Sequence, residues 1–162
     1  MKKPTMCMLI FLFVFMFSGC SLKAPENIQM HIDSPFAATM GDMKLEGLLI
    51  YADGGEMYLD ISTPDELYGL SFSFKDNFTV SYRGLNAVTE SDYLPPSSFA
   101  QSIKNTLDNA MSQKPVLEPY EDSLFVATAK SDSGCYKIYT DQKGVIKEIE
   151  IVGCDIKLKL NE

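Results

Sequence analysis

Apolar and polar residues alternate with a period of two through most of this chain, and that pattern limits what it can fold into. Segments 70–74 and 78–82 place an apolar side chain at every second position, and the polar residues 75–77 between them predict a turn. Such alternation is typical of a strand with one buried face. It recurs in segments 28–32, 57–61, 124–129, 135–140, 145–152 and 155–160. Segment 44–51 is apolar at its end and runs into Asp-Gly-Gly at 53–55, a hairpin signal that predicts a further strand. We predict about nine or ten strands in an antiparallel meander.

One segment departs from this pattern and predicts a helix. After the Pro-Pro pair at 95–96, Ser97 or Ser98 can cap a helix that ends near Ser112. Its apolar stripe consists of Phe99, Ile103, Leu107 and the pair Ala110 and Met111. One helix cannot cover a flat sheet of that width. We therefore expect a mainly β fold, a strongly curved antiparallel meander that forms a partial barrel with the helix against its concave face. The alternative is a two-layer sandwich with a peripheral helix.

The first 20 residues have the three parts of a secretory signal. Two lysines precede an apolar stretch over 6–17, and the sequence Phe-Ser-Gly-Cys follows at 17–20. That run resembles a bacterial lipobox, which implies that Cys20 is lipid-modified and becomes the N-terminus. The apolar stretch is shorter than the roughly 20 residues of a spanning helix. We predict a signal peptide over 1–19, a lipidated cysteine and tether over 20–26, and one domain over 27–162. The protein would be anchored on the extracytoplasmic face of the cell membrane.

The charge balance argues against a nucleic-acid partner. Without residues 1–19 the chain has 22 acidic and 12 basic residues, a net charge of −10, and Arg83 is its one arginine. No basic run is present that could follow a phosphate backbone. An anionic membrane surface would also repel such a domain, so the lipid would provide the anchoring.

Two cysteines, Cys135 and Cys154, remain after the signal peptide and the lipidated cysteine are set aside. An even pair in an extracytoplasmic protein favours a disulfide. Strand parity argues the other way, because it places the two side chains on opposite faces of the sheet. A bridge would then require a bulge at Gly134 or Gly153. The sequence leaves both arrangements open.

No catalytic or metal-binding set is evident. The one histidine, His31, lies on the polar face of a predicted strand beside Asp33, whereas nucleophilic catalysis needs a base beside its nucleophile. One histidine and two separated cysteines do not make a zinc site. The acidic runs at 53–56 and 118–122 lack the ligand order of a calcium loop. We predict no enzyme activity, no metal and no cofactor.

The order of these features resembles a known family. A lipobox precedes a β-meander that contains Pro-Asp-Glu-Leu-Tyr-Gly-Leu-Ser-Phe-Ser-Phe at 64–74 and Val-Ser-Tyr-Arg-Gly-Leu at 80–85, before a proline-rich break and a helix. Over roughly residues 27–160 this resembles small lipoproteins of Gram-positive anaerobes that are similar to the lipoprotein carriers LolA and LolB. The resemblance implies an unclosed barrel with a helical lid and an apolar cavity for acyl chains. It transfers no binding residue.

Two functions fit these observations. The first is a carrier or sensor of a hydrophobic ligand, a lipid or an acyl chain, in an apolar cavity under the helix. The second is a non-catalytic envelope module that binds a protein partner through an exposed sheet edge or loop. Seven side chains either line the cavity or simply fill the core: Phe72, Phe74, Phe78, Tyr82, Phe99, Ile103 and Leu107.

Overall fold

Eleven strands form one antiparallel sheet, and an α-helix packs against it. The computed structural model describes residues 23–89 and 94–161, so the predicted signal peptide and Cys20 lie outside the described residues. In chain order the elements are β1 (Ile32–Met40), β2 (Met43–Tyr51), β3 (Met57–Thr63), β4 (Leu70–Phe74), β5 (Phe78–Tyr82), β6 (Leu85–Thr89), α1 (Phe99–Gln113), β7 (Leu117–Pro119), β8 (Phe125–Ser131), β9 (Gly134–Thr140), β10 (Ile146–Ile151) and β11 (Ile156–Leu160).

The sheet is a meander whose two halves meet in the middle. The strand order is β6-β5-β4-β3-β2-β1-β11-β10-β9-β8-β7, so the first and last strands are neighbours and β6 and β7 form the two edges. Helix α1 connects these two edges. The sheet is curved and does not close, which confirms the predicted partial barrel with one helix against its concave face.

The core lies between the concave face and the helix. Buried side chains occupy every second position of the central strands, as Leu49 and Tyr51 on β2 and Ile149 and Ile151 on β10 do. The helix contributes a stripe to the same cluster, made of Ala100, Ile103, Leu107 and Ala110. A second, smaller cluster consists of Leu117, Phe125 and Ala127, with Ala24 and Ile28 packed against it. Ala24 and Ile28, which precede β1, are therefore part of the folded domain.

Two strands, β6 and β7, have no periodic signal in the sequence from which they could be predicted. All residues of β6 except Thr89 are exposed, so no apolar alternation marks this edge strand. Strand β7 has three residues and ends at Pro119, which is too short for a periodic signal. The predicted helix is confirmed, beginning one residue after Ser98, although the Ser98 side chain makes no capping hydrogen bond.

The start of β1 also differs from the expectation. Segment 28–32 reads as a strand, but residues before Ile32 make a single parallel bridge, between Gln29 and Val145. The strand then continues through Pro35, which has no N–H to donate. Its carbonyl accepts a hydrogen bond of 2.9 Å from Asn161, where the pairing with β11 stops. Proline is tolerated there because its nitrogen faces the β11 side, where the ladder ends, while the ladder with β2 continues through Pro35 on the other side.

Candidate functional site

Two tyrosines hold the helix between opposite halves of the sheet. Tyr51 on β2 donates a hydrogen bond of 2.7 Å from its hydroxyl to Asp108 Oδ1. Tyr136 on β9 donates one of 2.9 Å to Oδ1 of the next residue, Asn109. Lys104, one turn earlier on the helix, pairs with Asp108. The helix is therefore fixed from both sides near its C-terminal end.

Both tyrosines remain neutral donors over the physiological range. Burial raises the pKa of Tyr51 far above its ordinary value of 10.0, and the hydrogen bond and charge of Asp108 raise it further. Burial alone raises the pKa of Tyr136 to about 12. Loss of either proton would place a phenolate in apolar surroundings, and for Tyr51 beside a carboxylate. The polar contacts of the helix thus depend on the protonated form.

Four of the seven candidate side chains, Phe74, Phe78, Ile103 and Leu107, are buried in the core. Ile103 and Leu107 are fully buried, and Phe74 and Phe78 are buried with their ring centroids 4.7 Å apart. The other three candidates are half-buried. Phe72 stacks on Phe78, and Phe99 packs against Phe36. The Tyr82 hydroxyl donates a hydrogen bond to the Glu66 carbonyl. The structure brings Phe72, Phe74 and Phe78 together and places the helical candidates in the core.

A cleft opens at the C-terminal end of the helix. Its volume is about 540 Å³, and it lies between segment 26–31 and the end of α1. Its apolar lining residues are Ile28, Met30, Ala110, Met111 and Pro115, and its polar or charged ones are Glu26, Asn27, Gln29, His31, Asp53 and Lys114. The volume lies within the roughly 300–1,000 Å³ of small-molecule sites. None of the seven sequence candidates lines it.

The first wall of the cleft is held by the distant turn between β9 and β10. The Gln29 N–H donates a hydrogen bond of 2.8 Å to the Gly144 carbonyl, and the Gln29 side chain donates one of 2.9 Å to the Lys143 carbonyl. Gly144 has a φ of +82°, and a Cβ on it would lie 2.3 Å from the Asn27 carbonyl oxygen. A glycine is therefore required for the segment to lie this close to the turn.

The second wall is the end of the helix itself. Lys114 terminates α1 in a left-handed conformation with a φ of 47°, and its N–H donates to the Ala110 carbonyl at 3.0 Å. Pro115 follows and directs the chain away from the helix axis. Met111 is half-buried, with its sulfur 3.9 Å from the Tyr51 hydroxyl. An unbranched, flexible methionine can change its shape to fit different apolar ligands.

Two further clefts lie elsewhere on the molecule. One of about 320 Å³ lies beside His31 and Asp33, where β11 ends and leaves the beginnings of β1 and β10 without a strand between them. The other, of about 400 Å³, lies over Tyr139 on the convex face among lysines and glutamates. Over residues 23–89 and 94–161, no cluster of three His, Cys, Asp or Glu residues could hold a metal ion. In the same residues no helix has the length and apolar character needed to cross a membrane.

The two cysteines are free thiols in this structure. Cys135 is exposed on β9, whereas the next residue, Tyr136, faces the core. Cys154 is half-buried, and its sulfur lies 3.3 Å from the Ser102 hydroxyl of the helix and donates to the Ser133 carbonyl at 3.3 Å. The pair thus lies on opposite sides of the sheet.

Comparisons with known proteins find similarity to solved structures. No family model matches the chain, and no curated protein matches it. A LolA superfamily protein from Nitrosomonas europaea is similar in structure, with a TM-score of 0.35 and 9% identity over 82% of this chain and 69% of that chain. At this TM-score the likeness carries no argument about function.

Proposed function

We propose that this protein is a non-catalytic, lipid-anchored protein of the extracytoplasmic face of the cell membrane, which binds a lipid or another acyl chain. The observation that carries the proposal is the cleft of about 540 Å³ between segment 26–31 and the end of α1. The anchor rests on the lipobox at 17–20.

The chemistry of the cleft suits one flexible apolar chain. Ile28, Met30 and Met111 offer methyl, methylene and thioether groups to the cleft, while the side chains of Glu26 and Lys114 are exposed to solvent. Burying an apolar chain in such a cleft gains about 25 cal/mol for each Å² removed from water. The polar head of an amphiphile can remain at the rim, where it keeps its contact with water.

Native mass spectrometry of the chain from Ser21 onward, purified without detergent, tests the proposal. We expect a co-purified lipid in an organic extract, or uptake of added palmitate or phospholipid. Met111→Glu places a carboxylate in the apolar wall and should lower ligand affinity at least ~10-fold, because an unpaired charge is costly to desolvate. The matched control is Met43→Glu, since Met43 is 49% exposed on β2 and does not line the cleft. A ligand-free mass without uptake of either lipid would refute the proposal.

The second candidate function is binding of an envelope protein at the β6 edge. Strand β6 carries no charged residue, and Leu85 and Val88 are 76% and 65% exposed. Edge strands of soluble proteins are usually protected by charges, prolines or bulges. A photoreactive amino acid at Val88 in intact cells should then crosslink one defined protein, whereas the same group at the exposed Tyr58 on β3 should not. Equal, diffuse labelling from both positions would count against this function.

A further inference from the structure

We infer that the cleft takes its ligand from the membrane leaflet that holds the protein's own anchor, as an acyl chain of a lipid in that leaflet. The inference rests on the proposed function and adds the source of the ligand to it. It follows from where the tether meets the domain and from what forms the walls of the cleft.

The tether joins the domain at the small apolar cluster of Leu117, Phe125 and Ala127. Ala24, the second described residue, packs against this cluster. Cys20 is four residues earlier, and four extended residues span at most about 14 Å. A lipid on Cys20 would therefore hold this corner of the domain close to the bilayer surface.

Both walls of the cleft lead into the same cluster. Ile28 lines the cleft and also packs against the cluster. On the other wall, Pro115 lines the cleft and stands two residues before Leu117, which is part of the cluster. The cleft and the attachment point of the tether are therefore neighbours on one side of the molecule.

The distances suit transfer of a chain from the leaflet. Glu26, the first residue that lines the cleft, is six residues after Cys20, so the two are at most about 22 Å apart. The hydrocarbon layer of one leaflet is about 15 Å thick, half of the roughly 30 Å core. An acyl chain can enter the cleft while its head remains at the surface. A short tether also keeps the effective concentration of leaflet lipids at the cleft high.

Photocrosslinking in vesicles tests the inference with the full, acylated protein. A phosphatidylcholine with a diazirine on its acyl chain is placed in the vesicles that carry the protein, and labelled peptides are mapped by mass spectrometry. We expect labels on peptides that contain Met30 and Met111. The tether variant carries a 20-residue linker of glycine and serine between residues 22 and 23, whose mean end-to-end distance is about 25 Å. Its cleft labelling should fall at least ~5-fold, since the domain is no longer held at the surface.

The control has the same insertion in the β1–β2 turn, between Gly41 and Asp42, where a Cβ on Gly41 would meet no atom within 4 Å. Its labelling should equal that of the unmodified protein. The inference would be overturned if the cleft of the tether variant were labelled as strongly as that of the unmodified protein. It would also be overturned if diazirine lipid in separate vesicles labelled the cleft as strongly as lipid in the protein's own vesicles. A purified protein without an acyl group on Cys20 would overturn it as well.

A soluble diazirine-bearing decanoate, added to the same samples, separates this inference from the proposed function. If decanoate labels the cleft of all three proteins but the leaflet lipid does not, the cleft binds acyl chains and the inference about their source is wrong. If neither probe labels the cleft, the proposed function itself fails.

Discussion

The hydroxyl of Tyr51, a residue with no exposed surface, donates a hydrogen bond of 2.7 Å to Asp108 across the interface between β2 and α1. Tyr136 makes the equivalent contact to Asn109 from the other half of the sheet. These two contacts fix the C-terminal half of the helix, which forms one wall of the cleft. The other wall, segment 26–31, is held by hydrogen bonds from Gln29 to the turn at Lys143 and Gly144.

Tyr51→Phe should destabilise the domain without changing its fold. The substitution removes one buried hydrogen bond to a carboxylate, which contributes about 1–3 kcal/mol to the free energy of unfolding. Urea unfolding should show a lower midpoint with an unchanged slope. Tyr58→Phe is the control, because Tyr58 is exposed on the convex face of β3. An equal midpoint for both variants would show that the Tyr51 contact does not support the helix.

The free energy of unfolding should fall as the pH rises above 10. Tyrosines of the unfolded chain ionise near pH 10, whereas burial raises the pKa of Tyr136 to about 12. Between pH 10 and 12 the folded state retains the Tyr136 proton that the unfolded state has lost. The contribution of Tyr136 to the free energy of unfolding is therefore complete below pH 10 and is lost as the pH rises toward 12. Tyr136→Phe should reduce the slope of stability against pH between 10 and 12. Parallel slopes for Tyr136→Phe and the unmodified protein would contradict the assigned pKa.

The sequence predicts those elements whose signal is local and periodic. Strands β4 and β5 and the turn between them can be predicted because each strand buries one face, and α1 because its apolar stripe has helical spacing. Strand β6 lies at an edge with both faces exposed and has no such signal. Element order also indicates the curved sheet, since one helix cannot cover many strands unless the sheet curls around it.

The cleft has no comparable signal in the sequence. Its two walls, segment 26–31 and the end of α1, are far apart in the chain. The first wall is placed by hydrogen bonds from Gln29 to the turn at Lys143 and Gly144, and by packing of Ile28 on the small cluster. The aromatic residues lie on one face and are large, so the sequence is compatible with either a pocket or a filled core at their positions.

Gly47→Ala should be one of the most destabilising single substitutions in this domain. A Cβ on Gly47 would lie 1.8 Å from the backbone carbonyl oxygen of Asp60 on the neighbouring strand, which cannot move without separating β2 from β3. Strain of this kind should cost about 3 kcal/mol or more in thermal or urea unfolding. Gly54→Ala, in the exposed β2–β3 turn with open space around its Cβ, should change stability by less than about 0.5 kcal/mol. Similar losses for the two variants would contradict the close approach of the strands.

The thiols of Cys135 and Cys154 should react at different rates in the native protein. Cys135 is exposed, whereas the half-buried sulfur of Cys154 packs against the helix beside Ser102. An alkylating reagent should therefore modify Cys135 quickly and Cys154 only at the rate of local opening. Cys135→Ser should abolish the fast phase and leave the slow phase unchanged. An intact mass two hydrogens below that of the dithiol, with no fast phase, would instead show a disulfide. Such a bridge would require the backbone to shift at Gly134 and Gly153, which neighbour the two cysteines in the chain, so that both sulfurs reach the same side of the sheet. The backbones of these two glycines already lie in contact.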